Sequence, residues 1–227
     1  MRSIRMAAAA LVILLMISLT GCYNATYSFN FSTEQDTSNE EGAWIIDGEG
    51  VAGINDYGYY SNGLWLTAPY VFRDDFKLTA HFWLGVTAED SGYVEVALTD
   101  VPPAPGGVND WVSIQLLDLA TENERLYVED GHLLNVATPY NVVEQIPGLN
   151  RGHWNEITLT KKGANIKFTV NDRSVASFEL VNCASEYLAI SFVSGCDVID
   201  DPTNPKTGFI LKDVKVEYTQ GNAELII

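Results

Sequence analysis

The sequence is poor in positive charge. Across 227 residues it carries 13 Lys plus Arg against 30 Asp plus Glu, a formal net charge of −17. Phosphate contacts need Lys and Arg, so the balance argues against binding DNA or RNA. It argues equally against adsorption to anionic lipid head groups. Only three cysteines and three histidines are present, and His81, His132 and His153 are scattered without zinc spacing. The chain has no phosphate-cradling glycine loop and no Gly-x-Ser-x-Gly nucleophile elbow. No apolar run reaches the roughly 20 residues of an ordinary membrane-spanning helix. An amphipathic helix is missing after residue 22, as are internal repeats and a domain linker. The composition is 47% hydrophobic and 11% aromatic, enough to bury a core and too apolar for a disordered acidic tail.

The first 22 residues carry the sharpest motif. Arg2 and Arg5 precede a mostly apolar run from Met6 to Leu19, the right length for a signal-peptide core. The run ends in Leu19-Thr20-Gly21-Cys22. This resembles the lipobox of bacterial lipoproteins, in which the cysteine takes a thioether-linked diacylglycerol and becomes the new N-terminus. The resemblance implies a signal-peptide helix over 1–21, lipidation at Cys22 and a short tether over 22–26. A single domain over 27–227 would then be held outside the cytoplasm, its partner membrane reached through the N-terminal lipid. Two or three acyl chains anchor stably. Tyr23, not Asp, follows the cysteine, which favours the outer membrane if the host has one. Loss of the two arginines leaves 11 basic residues against 30 acidic ones in the mature chain.

That compartment permits a disulfide between Cys183 and Cys196. The two flank an apolar strand, Tyr187 to Val193. If straight, it separates its ends by roughly 20 Å, whereas a bridge needs Cα atoms within about 7 Å. The following loop would have to fold back, and both possibilities stay open.

Period-2 runs recur from Thr26 onward: Gly63–Thr67, Phe76–Val86, Tyr93–Leu98, Trp111–Leu117, Arg125–Glu129, Glu156–Lys161, Ile166–Asn171, Ser174–Leu180, Tyr187–Val193 and Phe209–Tyr218. Turn clusters such as Val101-Pro102-Pro103 and Asp201-Pro202-Thr203-Asn204-Pro205 separate them. About ten strands in one domain predict an all-β sandwich or barrel.

The C-terminal third is more specific. His153-Trp154-Asn155-Glu156-Ile157-Thr158-Leu159 leads into a hairpin, then a strand ending Val170-Asn171-Asp172, then a last strand Gly208 to Val216 with Asp213-Val214 inside it. This order resembles the concanavalin A-like lectin/glucanase superfamily. It implies a jelly-roll β-sandwich of two antiparallel sheets. Within that superfamily, Asp90-Ser91-Gly92 and Val112-Ser113-Ile114-Gln115-Leu116-Leu117-Asp118 resemble the 3-keto-disaccharide hydrolase domains. There Gln115 and Asp118 match, but Ser113 stands where the family has Glu, which removes a candidate acid/base.

Successive side chains on a strand point to opposite faces. In Phe76–Leu84, Tyr93–Leu98, Trp111–Leu117 and Arg125–Glu129 one face is plainly core. The other holds His81, Trp83, Tyr93, Glu95, Trp111, Gln115, Arg125 and Tyr127. Aromatic rings among hydrogen-bonding groups suit a sugar, which stacks its apolar CH face and bonds its hydroxyls. The expected site is one face made by these four strands, with carbohydrate as the partner. The alternative is that loops or a second packing layer cover it. The tyrosines of Asp56-Tyr57-Gly58-Tyr59-Tyr60-Ser61 form a loop suited either to capping such a site or to packing on the sandwich edge.

A laminarinase-type enzyme would carry Glu-x-Asp-x-Glu on one strand. The nearest fragment, Glu34-Gln35-Asp36, lacks the third acid. A noncatalytic glycan-binding envelope lipoprotein without a cofactor is therefore the leading expectation. Next come a glycosidase-like enzyme using Glu95, with Glu129 as the candidate second carboxylate across the face, and a structural envelope protein without a small ligand. Structural calcium is the one ion with candidate ligands: Asp197, Asp200, Asp201 and Asn204 in one loop, and Asp213 on the last strand.

Overall fold

Alternation of apolar and polar residues organises the strands of the computed structural model. It describes residues 23–31, 43–84, 92–100, 110–117, 124–132, 138–183, 185–195 and 209–226. The expected signal helix, Cys22, Cys196, Asp197, Asp200, Asp201 and Asn204 lie outside these residues. Sixteen strands are described, more than the ten expected. They are β1 (Ala25–Asn30), β2 (Ile45–Asp47), β3 (Val51–Asn55), β4 (Gly58–Asn62), β5 (Trp65–Arg73), β6 (Phe76–Leu84), β7 (Tyr93–Thr99) and β8 (Asp110–Leu117). There follow β9 (Arg125–His132), β10 (Thr138–Glu144), β11 (Trp154–Lys162), β12 (Asn165–Val170), β13 (Arg173–Glu179), β14 (Tyr187–Gly195), β15 (Phe209–Tyr218) and β16 (Ala223–Leu225). The extra ones include very short strands and strands without clean alternation, which period-2 reading misses.

Two antiparallel sheets pack face to face. The first runs β13-β12-β11-β6-β15-β4-β3, with β1 added on β15; the second runs β10-β9-β8-β7-β14-β5-β16, with β2 added on β5. In β6, Phe76, Leu78, Ala80, Phe82 and Leu84 are buried while Lys77, Thr79, His81 and Trp83 between them are not. In the second sheet Val94, Val96, Leu98, Val112, Ile114, Leu116, Leu126 and Val128 supply the facing layer. Phe29, Phe31, Trp44 and Tyr59 interlock as an aromatic cluster that ties β1 to this core. The tyrosine segment is thus no loop. It is largely strand β4, with Tyr59 inside the core and Tyr57 exposed at the turn.

The C-terminal motif has a local cause. Asn171 and Asp172 both take left-handed backbone angles, φ 47° and 62°, in the two-residue turn between β12 and β13, the conformation a tight hairpin needs. Asn171 Nδ2 then donates to Asn155 Oδ1 at 2.9 Å and to the Gly148 carbonyl at 2.7 Å. Asn155, 1% exposed, donates onward to the Asn150 and His153 carbonyls. The two asparagines pin the approach to β11. At the other end of the chain, Asn24 N donates to the Tyr218 carbonyl at 3.1 Å, so the backbone is held to β15 from its second described residue.

Cys183 is a buried free thiol among the described residues; Cys196, its candidate bridge partner, lies outside them. Burial pushes the Cys183 thiol up to about 12, so it is an unreactive thiol.

Candidate functional site

The eight expected site residues do not share one face. β5 and β6 are joined by only Asp74 and Asp75, yet β5 belongs to the second sheet and β6 to the first. His81 and Trp83 therefore stand on the outer face of the opposite sheet. Tyr93, Glu95, Trp111, Gln115, Arg125 and Tyr127 do come together, on the outer face of β7, β8 and β9.

Register orders that face into rows. Glu95 lies opposite Gln115, which lies opposite Tyr127; Ala97, Ser113 and Glu129 form the next row; Thr99, Trp111 and Gly131 the third. A cleft of about 280 Å³ opens over these rows, lined by Trp65, Glu95, Ala97, Thr99, Trp111, Ser113 and Glu129. Its floor faces outward but is deep: Ala97, Thr99 and Ser113 are each no more than 4% exposed. The taller tryptophans stand around them. Trp111 leans on Gly131 directly across the strand pair, where a side chain would collide with the indole. Tyr93 lies on Gly195 in the same way, and Arg125 is exposed at the sheet margin.

The polar groups are wired inward. Ser113 Oγ donates to Glu95 Oε1 at 2.7 Å, Gln115 Nε2 donates to Ser113 Oγ at 2.9 Å, and Tyr127 OH donates to Glu129 Oε2 at 2.8 Å. Burial, more than anything, pushes the Glu95 carboxyl above its ordinary range; the nearby Glu129 charge adds to this, and the Ser113 and Gln115 hydrogen bonds oppose it. Tyr127 is pushed up by its bond to the Glu129 carboxylate. Thr99 Oγ1, in the floor, is buried and has no hydrogen-bond partner among the described residues.

Beneath β8 and β9 two buried carboxylates fix the neighbouring chain. Asp130, fully buried, accepts from the backbone N–H groups of Val181, Asn182 and Cys183 at 2.9, 2.7 and 3.0 Å. Asp110 accepts from Ser185 N at 2.6 Å and bonds His132 Nδ1.

On the opposite sheet, His81 sits between two acids. Its Nδ1 is 2.7 Å from Asp213 Oδ1 and its Nε2 3.2 Å from Glu156 Oε2. The Asp213 hydrogen bond leads in raising its pKa. Trp83 packs edge-on against Trp154 at 5.7 Å, and Lys212 Nζ lies 5.6 Å from the Trp154 ring. Asp213, expected as a calcium ligand, is thus engaged with His81. No group of three metal-ligating side chains stands ready for an ion among the described residues.

Sequence reading missed Trp65, Thr99 and Ser113 as cleft residues. Alternation places Trp65 opposite the buried Leu66, a usable signal, but nothing in the sequence puts β5 in the same sheet as β7.

No protein-family model and no curated protein matches the chain. Solved structures do. The carbohydrate recognition domain of Emp46p in its potassium-bound form aligns over 85% of this chain and 97% of its own, with TM-score 0.59 and 14% identity. The carbohydrate-binding module CBM66 from Bacillus subtilis aligns over 79% and 97%, with TM-score 0.55 and 9% identity. A glycoside hydrolase family 16 endo-glucanase from Bacteroides ovatus aligns over 84% and 99%, with TM-score 0.54 and 11% identity. Identities this low speak for the fold alone, and the fold is the concanavalin A-like jelly roll.

Proposed function

We propose that this concanavalin A-like jelly roll is a noncatalytic carbohydrate-binding domain, tethered to a bacterial envelope through a lipid on Cys22, and that it takes its glycan in the cleft on β7, β8 and β9. One observation carries the reading: Trp65 and Trp111 flank a floor that holds Glu95, Ser113, Glu129 and an unpartnered Thr99 hydroxyl. Rings give a pyranose its stacking surface, and the floor offers acceptors to its hydroxyls. The carbohydrate-binding modules and recognition domains among the structural neighbours agree with it. The lipid tether rests on Leu19-Thr20-Gly21-Cys22. The expected fluorescence result is a saturable change when residues 23–227 are titrated with oligosaccharides, lost in Trp65→Ala and Trp111→Ala. A flat response to every glycan would refute the reading.

A second reading has its own support. Two carboxylates in one cleft, one pushed upward by burial, are what general acid catalysis of glycoside hydrolysis uses. It expects release of reducing sugar that Glu95→Gln abolishes.

A further inference from the structure

The charge and donor inventory of the cleft says more about the ligand than its shape does. Among the described lining residues two are carboxylates and none is a cation. Three nearby hydroxyl and amide donors already point onto the carboxylate system, from Ser113 to Glu95, from Tyr127 to Glu129 and from Gln115 to Ser113, which leaves the Thr99 hydroxyl as the unengaged donor of the floor. A carboxylate offers about four lone-pair directions, and these partners occupy only a part of them. What faces the cleft at Glu95 and Glu129 is therefore acceptor capacity and negative charge.

We infer that the cleft selects amino sugars bearing a free ammonium, with the ammonium placed between Glu95 and Glu129 and the ring stacked on the tryptophans. This rests on the carbohydrate-binding reading above. An ammonium supplies three donors and a positive charge where two carboxylates repel each other. An N-acetylated sugar of the same skeleton supplies one N–H and no charge. A uronic acid brings a third negative charge into a cleft with no cation in its described lining.

The test titrates residues 23–227 with three oligosaccharides of equal length: glucosamine, N-acetylglucosamine and a glucuronate-containing one. The pH keeps the amine protonated. The free amine is expected to bind about tenfold tighter than the N-acetyl form, the scale of one charge-assisted hydrogen bond, and the uronic oligomer not to bind. Because the whole chain is acidic, two variants separate the site from general attraction. Glu129→Gln keeps an acceptor for Tyr127 and is expected to erase most of the preference. Glu179→Gln removes the same charge from the exposed face of β13 in the other sheet and is expected to leave it. Equal binding of amine and N-acetyl forms, tightest binding of the uronic oligomer, or equal loss in both variants would overturn the inference while leaving a sugar site standing. No saturable signal from any oligomer would overturn the sugar site itself.

Discussion

The two outer faces of this sandwich are built from the same residue types by the same alternation, yet they come to opposite ends. On the first sheet, the charged groups satisfy one another, although the buried Trp83 Nε1 has no hydrogen-bond partner among the described residues. Glu156, His81 and Asp213 form one cross-strand row, and Lys77 and Lys215 both reach Glu217. Trp83 and Trp154 pack on each other. On the second sheet, Trp65 and Trp111 border a space instead of filling it, and two acids share the cleft without a base among its described lining residues. A polar-aromatic face becomes a candidate site when its cross-strand neighbours leave something over, not because of its composition.

Four substitutions sharpen or break that contrast. The largest effect is expected from Asp130→Ala. It removes a fully buried acceptor from three backbone donors, the buried Cys183 N–H and the part-buried Val181 and Asn182 N–H groups, and should cost about 3 kcal/mol in a denaturant titration; a loss below about 1 kcal/mol would show that the 181–183 segment holds itself. Next is Trp111→Ala, expected to weaken glycan binding by about 2 kcal/mol, roughly thirtyfold, in calorimetry, while Trp83→Ala on the other face stays within about twofold. Equal losses would erase the distinction between the faces. A third test leaves the indole in place but moves it: Gly131→Ala drives a side chain into the ring and is expected to weaken binding about tenfold, the scale of a misplaced stacking contact, with the β-sheet circular-dichroism signal intact. Unchanged affinity would mean that the ring's seat does not matter.

The smallest effects concern pH, and they separate the faces by cause. His81 and Glu95 are both raised, so the folded chain holds both protons more tightly than the unfolded chain does. Stability from His81 is fully present below its ordinary 6.5 and is lost as pH rises through the higher folded value. For Glu95 the same sign applies, with the loss beginning above the ordinary 4.5. His81 is raised chiefly because its proton gains an acid partner; Glu95, because ionisation is disfavoured by burial. His81→Gln is therefore expected to lower the melting temperature on the acid side only, and Glu95→Gln to raise it at neutral pH. Melts across the pH range that show no rise for Glu95→Gln would remove the uncompensated acid from the cleft.

Six of the eight expected site residues were legible as one face because β7, β8 and β9 are sequential antiparallel neighbours, and alternation carries from one to the next. His81 and Trp83 were misplaced because β6 was grouped with the strands that follow it, whereas the chain changes sheet between β6 and β7. Alternation carries no label saying which sheet a strand joins. Trp65 illustrates the converse: it reaches the cleft through β14, a strand more than 100 residues later in the chain.

By itself, then, the sequence determined the all-β class, the inward apolar layer and the acidic character of the molecule. Each of these follows from local periodicity or simple counting. Only the tertiary structure decided which outward residues share a face, which aromatics are already partnered, and that Cys183 lies buried. Those depend on pairing between strands far apart in the chain, where no local physical rule selects the neighbour.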